Sequence, residues 1–199
     1  MNAVAKTRLS VEDYLAIENA SPFKSEFYEG EMFAMAGASP THNFVKDNLI
    51  RALGNRLDSG PCRTASSDQR IRIERTGLFT YPDIVIVCGK PKVSPRDPLA
   101  IVNPTAIVEI LSPTTEQYDR GTKFKQYRQI PGLRECILVA QDEAVVERYF
   151  LQSNGSWNLT AIEGVGESLE FASLGITIPL ADVYRDIEFP DPAEANTMN

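Results

Sequence analysis

Two stretches of this chain, "DIVIV" at 83–87 and "AIVEIL" at 106–111, are continuous apolar runs rich in β-branched residues. Runs of this kind read as strands covered on both faces, at the centre of a sheet. One residue breaks the pattern: Glu109 stands among Ile107, Val108, Ile110 and Leu111. An ionised carboxylate taken out of water is costly unless a cation or hydrogen-bond donors meet it. The fold must therefore bring Glu109 a partner.

The surrounding pattern supplies the other elements. Ser10 followed by Val11, Glu12 and Asp13 marks a helix start, with Leu9, Tyr14, Leu15 and Ile17 as its apolar side and an end near Ser21 and Pro22. "EFYEGEMFA" reads as a hairpin turning at Glu29 and Gly30. Ser39 and Pro40 open a second helix with Val45, Leu49, Leu53 and Leu57 at steps of four. "QRIRIER" alternates Ile71 and Ile73 with Arg70, Arg72 and Glu74, the pattern of a strand with one buried face and arginines turned to solvent or a ligand. "YDRGTKFKQYR" is helical with Phe124 and Tyr127 inward, followed by strands at "ECILVA", "VVERYFL" and "SWNLTAI". Helices and strands mix without strict βαβ alternation, which fits an α/β fold with a mixed sheet.

The 199 residues, 43% of them hydrophobic, suffice for one full core. We read a single domain over 1–188 and an acidic, frayed tail over 189–199. No apolar run reaches membrane-spanning length and the N-terminus lacks a secretory h-region, so the expectation is a soluble cytoplasmic protein with no membrane partner. Cys62, Cys88 and Cys136 are odd in number and widely spaced, which favours buried reduced thiols over a disulfide framework or a thiolate zinc site. The net charge of −7 is uneven: residues 46–136 carry 15 Lys and Arg against 10 Asp and Glu, and residues 137–199 carry 2 against 11. That asymmetry permits a local basic surface, with Arg70 and Arg72 as backbone-tracking candidates, against the alternative of an ordinary mixed surface.

Signatures of P-loop, zincin, nucleophile-elbow and dinucleotide-binding chemistry are all missing, and a single histidine, His42, leaves little for a serine triad. A carboxylate constellation remains. Asp83 begins one central strand and Glu109 lies inside the other. Two carboxylates brought together repel unless one is protonated or a divalent cation sits between them, and hard oxygen ligands suit magnesium or manganese. Taken alone, Asp83 reads equally as a turn residue and Glu109 as an edge residue or an arginine partner. His42, near a helix N-terminus that favours phosphate, is a candidate contact and equally a packing residue.

"YPDIVIV" and "PTAIVEILSPTTEQYDRGTKFKQYR", with "SVEDYLAIE", "KSEFYEGEMFAMAGASPTHNFV" and "LGITIPLADVY", resemble the Uma-type restriction endonuclease family of the PD-(D/E)xK nuclease superfamily over nearly the whole chain. The resemblance implies a restriction endonuclease-like fold, a mixed central sheet flanked by helices. It also implies Mg²⁺- or Mn²⁺-dependent hydrolysis of DNA phosphodiesters, with Asp83 and Glu109 as metal ligands, Glu26 as a further acidic group near the metal, and a possible homodimer. One departure stands out: the superfamily's strand lysine, two residues after the acid, is here Leu111. The resemblance moves that lysine to the following helix, at Lys123. Lys125, about 200° round the helix, competes, while Lys123 precedes Tyr127 by one turn and sits beside the inward Phe124. The absent strand lysine and the acidic total charge keep open a second reading, an inactive nucleic-acid- or protein-binding module on the same fold.

Overall fold

The computed structural model describes residues 8–190. Helix α1 (Val11–Ala20) starts at Ser10, whose side chain accepts from the Asp13 N–H while Asp13 reaches back, a reciprocal capping box. Strands β1 (Ser25–Tyr28) and β2 (Glu31–Ala34) form the expected hairpin, its turn built on positive φ at both Glu29 and Gly30. Helix α2 (Pro40–Leu57) follows, capped by Ser39, with Val45, Leu49 and Leu53 fully buried. Strands β3 (Cys62–Ser66), β4 (Ile71–Arg72), β5 (Phe79–Thr80), β6 (Ile84–Cys88), β7 (Val93–Ser94), β8 (Asp97–Ile101) and β9 (Ala106–Leu111) come next. A helical stretch is divided into α3 (Glu116–Tyr118), a π-helical turn (Asp119–Lys123) and α4 (Phe124–Tyr127). Strands β10 (Glu135–Ala140), β11 (Val145–Leu151) and β12 (Trp157–Glu163), the hairpin β13 (Ser168–Phe171) and β14 (Ile176–Pro179), and α5 (Leu180–Val183) complete the chain.

The central sheet runs β12-β11-β10-β9-β6-β3, parallel between β9 and β10 and antiparallel elsewhere. The two apolar runs are therefore neighbours, as their composition predicts, with Ile84 opposite Val108. Alternation sorts β9 between two cores. Val108 and Ile110 pack with Val45, Leu49 and Leu53 of α2, whereas Ile107 and Leu111 pack with Phe124 and Tyr127 of α4. Glu109 shares the parity of Ile107 and Leu111, so it points at α4.

The strands around the hairpin form a second six-stranded sheet, β2-β1-β5-β4-β8-β7. Two expectations are corrected. In α1 it is Tyr14 and Glu18 that are buried, while Ile17 is exposed; the Glu18 carboxylate accepts the Ser25 N–H and the Tyr81 hydroxyl, which turns that side of the helix inward. Cys62 and Cys88 form a disulfide, and only Cys136 is a free, buried thiol. Sequence spacing hides this because the antiparallel β3/β6 ladder sets Cys62 directly opposite Cys88. At the end of the described part Phe189 packs edge-on against Tyr184 at 5.3 Å; the rest of the expected tail, residues 191–199, lies outside the described residues.

Candidate active site

The partner of Glu109 comes from the helix that follows its strand. Lys123 Nζ lies 3.0 Å from Glu109 Oε1, and the Tyr127 hydroxyl donates to the same oxygen. All three side chains are buried. The π turn assists this arrangement: the Phe124 N–H reaches back to the Asp119 carbonyl, inserting an extra residue into the helical turn before α4. Such insertions recur at functional sites because they re-aim side chains on one face. Here the turn presents Asp119 and Lys123 to the cluster, 3.4 Å apart, while Lys125 is exposed on the other side. The helical phase thus separates the two lysines in favour of Lys123.

Asp83 joins Glu109 through the backbone of both strands. The Asp83 N–H donates to Glu109 Oε2 at 3.3 Å, and the Ile110 N–H donates to Asp83 Oδ2 at 2.9 Å. His42 arrives from the first turn of α2, its Nε2 3.2 Å from Asp83 Oδ2 and its Nδ1 buried without a hydrogen-bond partner. Glu26, on β1, faces the cluster from the second sheet. It accepts from the Thr80 hydroxyl and, at 2.7 Å, from the Tyr118 hydroxyl, and it lies 3.6 Å from Lys123. These contacts set Glu26 beside Lys123 and Tyr118.

Charge is out of balance here. Glu26, Glu109 and Asp119 all lie within 3.6 Å of one ammonium, with Asp83 alongside. Burial pushes the Glu109 carboxyl up to about 8; Lys123 pulls against this, and Asp119 and Asp83 add to it. Burial likewise raises Asp119, whose Oδ1 faces the Lys123 ammonium at 3.4 Å. Burial also opposes ionisation of Asp83, but His42, the Ile110 N–H and Lys123 outweigh it and hold that carboxyl below its ordinary value. For Lys123, burial is overcome by Glu109, Asp119 and Glu26, which keep the ammonium charged. The surplus of carboxylate around one ammonium leaves room for a further cation, and hard oxygen donors suit magnesium or manganese. Among the described residues no group of three or more His, Cys, Asp and Glu is arranged to hold a metal. A divalent ion here would have the Asp83–Glu109 pair as its protein ligands and take the rest from water and substrate oxygens, the usual manner for magnesium.

The strand arginines are not where alternation puts them. Arg70 is buried, pairing with Asp97 at 2.7 Å and donating to the Tyr81 hydroxyl. Arg72 is buried too, bonded to Ser94 at 3.0 Å, paired with Glu74 and stacked over Phe79. The reading of solvent-facing guanidiniums is corrected: β4 lies inside the second sheet, between β5 and β8, and both its faces are covered. Arg70→Met should destabilise the fold by about 3–5 kcal/mol, because it strands Asp97 without its cation; urea unfolding measures it. Sequence reasoning missed Asp119, Thr80 and Tyr118. Asp119 was findable as the acid four residues before Lys123 on a helix; the other two converge only through tertiary structure.

The comparisons with known proteins bear on the whole domain. The model of the Uma2 family, described as "Putative restriction endonuclease", matches residues 11–181. The chain belongs to the Uma2 family. Two relatives in Synechocystis sp. (strain ATCC 27184 / PCC 6803 / Kazusa) are each 34% identical to this Uma2 protein: the uncharacterized protein slr1290, covering 92% of this chain and 94% of its own, and the uncharacterized protein sll1609, covering 88% and 100%. Its fold is shared with a crystal structure described as "a putative nuclease belonging to DUF820" from Anabaena variabilis ATCC 29413, with a TM-score of 0.73 and 15% identity over 88% of this chain and 97% of that one. The α/β architecture with a mixed central sheet is thereby borne out. Among the described residues, no helix is long and apolar enough to cross a membrane.

Proposed function

We propose that this Uma2 protein is a divalent-metal-dependent endonuclease that hydrolyses DNA phosphodiesters. The observation that carries the proposal is the meeting of Asp83 and Glu109 on adjoining strands, with Lys123 against Glu109, in a buried cluster short of positive charge. Family membership and the nuclease-like fold support it. Asp83 and Glu109 would hold magnesium or manganese, whose contribution there is to acidify water and offset phosphate charge. Lys123 orients the attacking water and stabilises negative charge growing on the phosphoryl oxygens as the P–O bond to the leaving sugar breaks. Tyr127 fixes Glu109; Glu26 and Asp119 fix Lys123; His42 fixes Asp83.

A second reading, an inert binding module, draws support from Glu109 already being met by Lys123 and Tyr127. Manganese titration separates the two. A ligand that binds only the native state stabilises it, by about 2.7 kcal/mol at a hundredfold excess over its Kd. The nuclease reading expects a rising Tm with Mn²⁺ and ion-dependent cleavage of a DNA panel. A Tm indifferent to the ion, with no cleavage, selects the inert module.

A further inference from the structure

The face of the second sheet that carries Glu26 continues outward to an aromatic ring. Glu26 lies opposite Phe33 on β2 and bonds Thr80 on β5. Directly opposed residues of an antiparallel pair share a face, so Phe33, Glu26 and Thr80 form a row running from solvent to the cluster. β2 is an edge strand, and Phe33 is 48% exposed. On the helical side, Tyr118 donates its hydroxyl to Glu26 while its ring stays 37% exposed. Two partly exposed rings thus stand at the rim, each beside the same carboxylate.

Two of the cations expected to follow a duplex backbone are not available to it. Arg70 and Arg72 are committed internally to Asp97 and Glu74, and the chain as a whole carries −7. Duplex DNA is held chiefly through its phosphates. An unpaired strand also offers base faces, which stack on aromatic side chains with little regard to sequence. We propose that the substrate is an unpaired DNA strand, its bases stacked on Phe33 and Tyr118 and a phosphate placed at Asp83, Glu109 and Lys123. This rests on the nuclease reading of the cluster.

The test is binding of the full chain, in EDTA, to a fluorescein-labelled deoxythymidylate oligomer and to a duplex of equal length, followed by anisotropy. The single strand should bind more tightly than the duplex. Phe33→Leu, which keeps apolar bulk but removes the ring, should weaken single-strand binding by about 5- to 150-fold, and Phe33→Trp should restore it. Duplex preferred or equally bound, no binding of either, or affinity unchanged by Phe33→Leu would each overturn the inference. Because no ion is present, the two ideas fail distinguishably: duplex cleavage indifferent to Phe33 sinks this inference alone, whereas ring-dependent strand binding without any cleavage sinks the nuclease reading and leaves the strand a bound ligand, not a substrate.

Discussion

Asp83→Ala and Glu109→Ala should each lower Mn²⁺-dependent DNA cleavage by about 10³-fold, equivalent to roughly 4 kcal/mol of transition-state stabilisation. The two side chains lie on adjoining antiparallel strands and are linked reciprocally, the Asp83 N–H to Glu109 and the Ile110 N–H to Asp83. Removing either leaves one carboxylate where two are needed to hold a divalent ion against competition from water. The fold should survive both changes, since Asp83 precedes β6 and Glu109→Ala relieves the crowding of acids around Lys123. Single-turnover cleavage together with circular dichroism checks this, and undiminished cleavage in a folded double variant would place the chemistry elsewhere.

Lys123→Met should cost about 3–5 kcal/mol of stability, which for a chain of this length is roughly 6–20 °C in Tm. Methionine fills much of the lysine stem but leaves Glu26, Glu109 and Asp119 buried around no cation. The defect should depend on pH with a definite sign. In the native parent Glu109 sits near 8, above its ordinary 4.5, so its favourable contribution is complete at low pH and lost as pH rises through that window. Without Lys123 the Glu109 and Asp119 carboxyls rise further. The gap between variant and parent, measured by urea unfolding in EDTA, should therefore be small near pH 4 and widen toward pH 8 and above. Lys125→Met, at an exposed position, should leave stability within about 0.5 kcal/mol of the parent.

Much of the site was legible because it obeys periodicity. The apolar runs identified β6 and β9 as buried neighbours, period-two alternation sent Glu109 toward the face that α4 covers, and the phase of Phe124 and Tyr127 separated Lys123 from Lys125. Where the reading failed, a tertiary contact had overruled a local pattern. Arg70 and Arg72 alternate with isoleucines as exposed residues would, yet β4 sits within a sheet and its guanidiniums are met by Asp97, Tyr81, Ser94 and Glu74. Ile17 yielded the interior to Glu18 because Ser25 and Tyr81 supply donors from elements far along the chain. The disulfide needed the register of β3 on β6, which Cys spacing does not encode.

The π turn gives the cluster one residue of slack in chain length. Loss of one residue between Asp119 and Lys123 would let the wide turn close to regular α-helix without turning α4 away, because the turn already absorbs the extra residue. Loss of a second would rotate everything beyond the gap by about 100° and carry the Tyr127 phenol off Glu109. Descent that keeps this arrangement of side chains therefore tolerates one such deletion and not two.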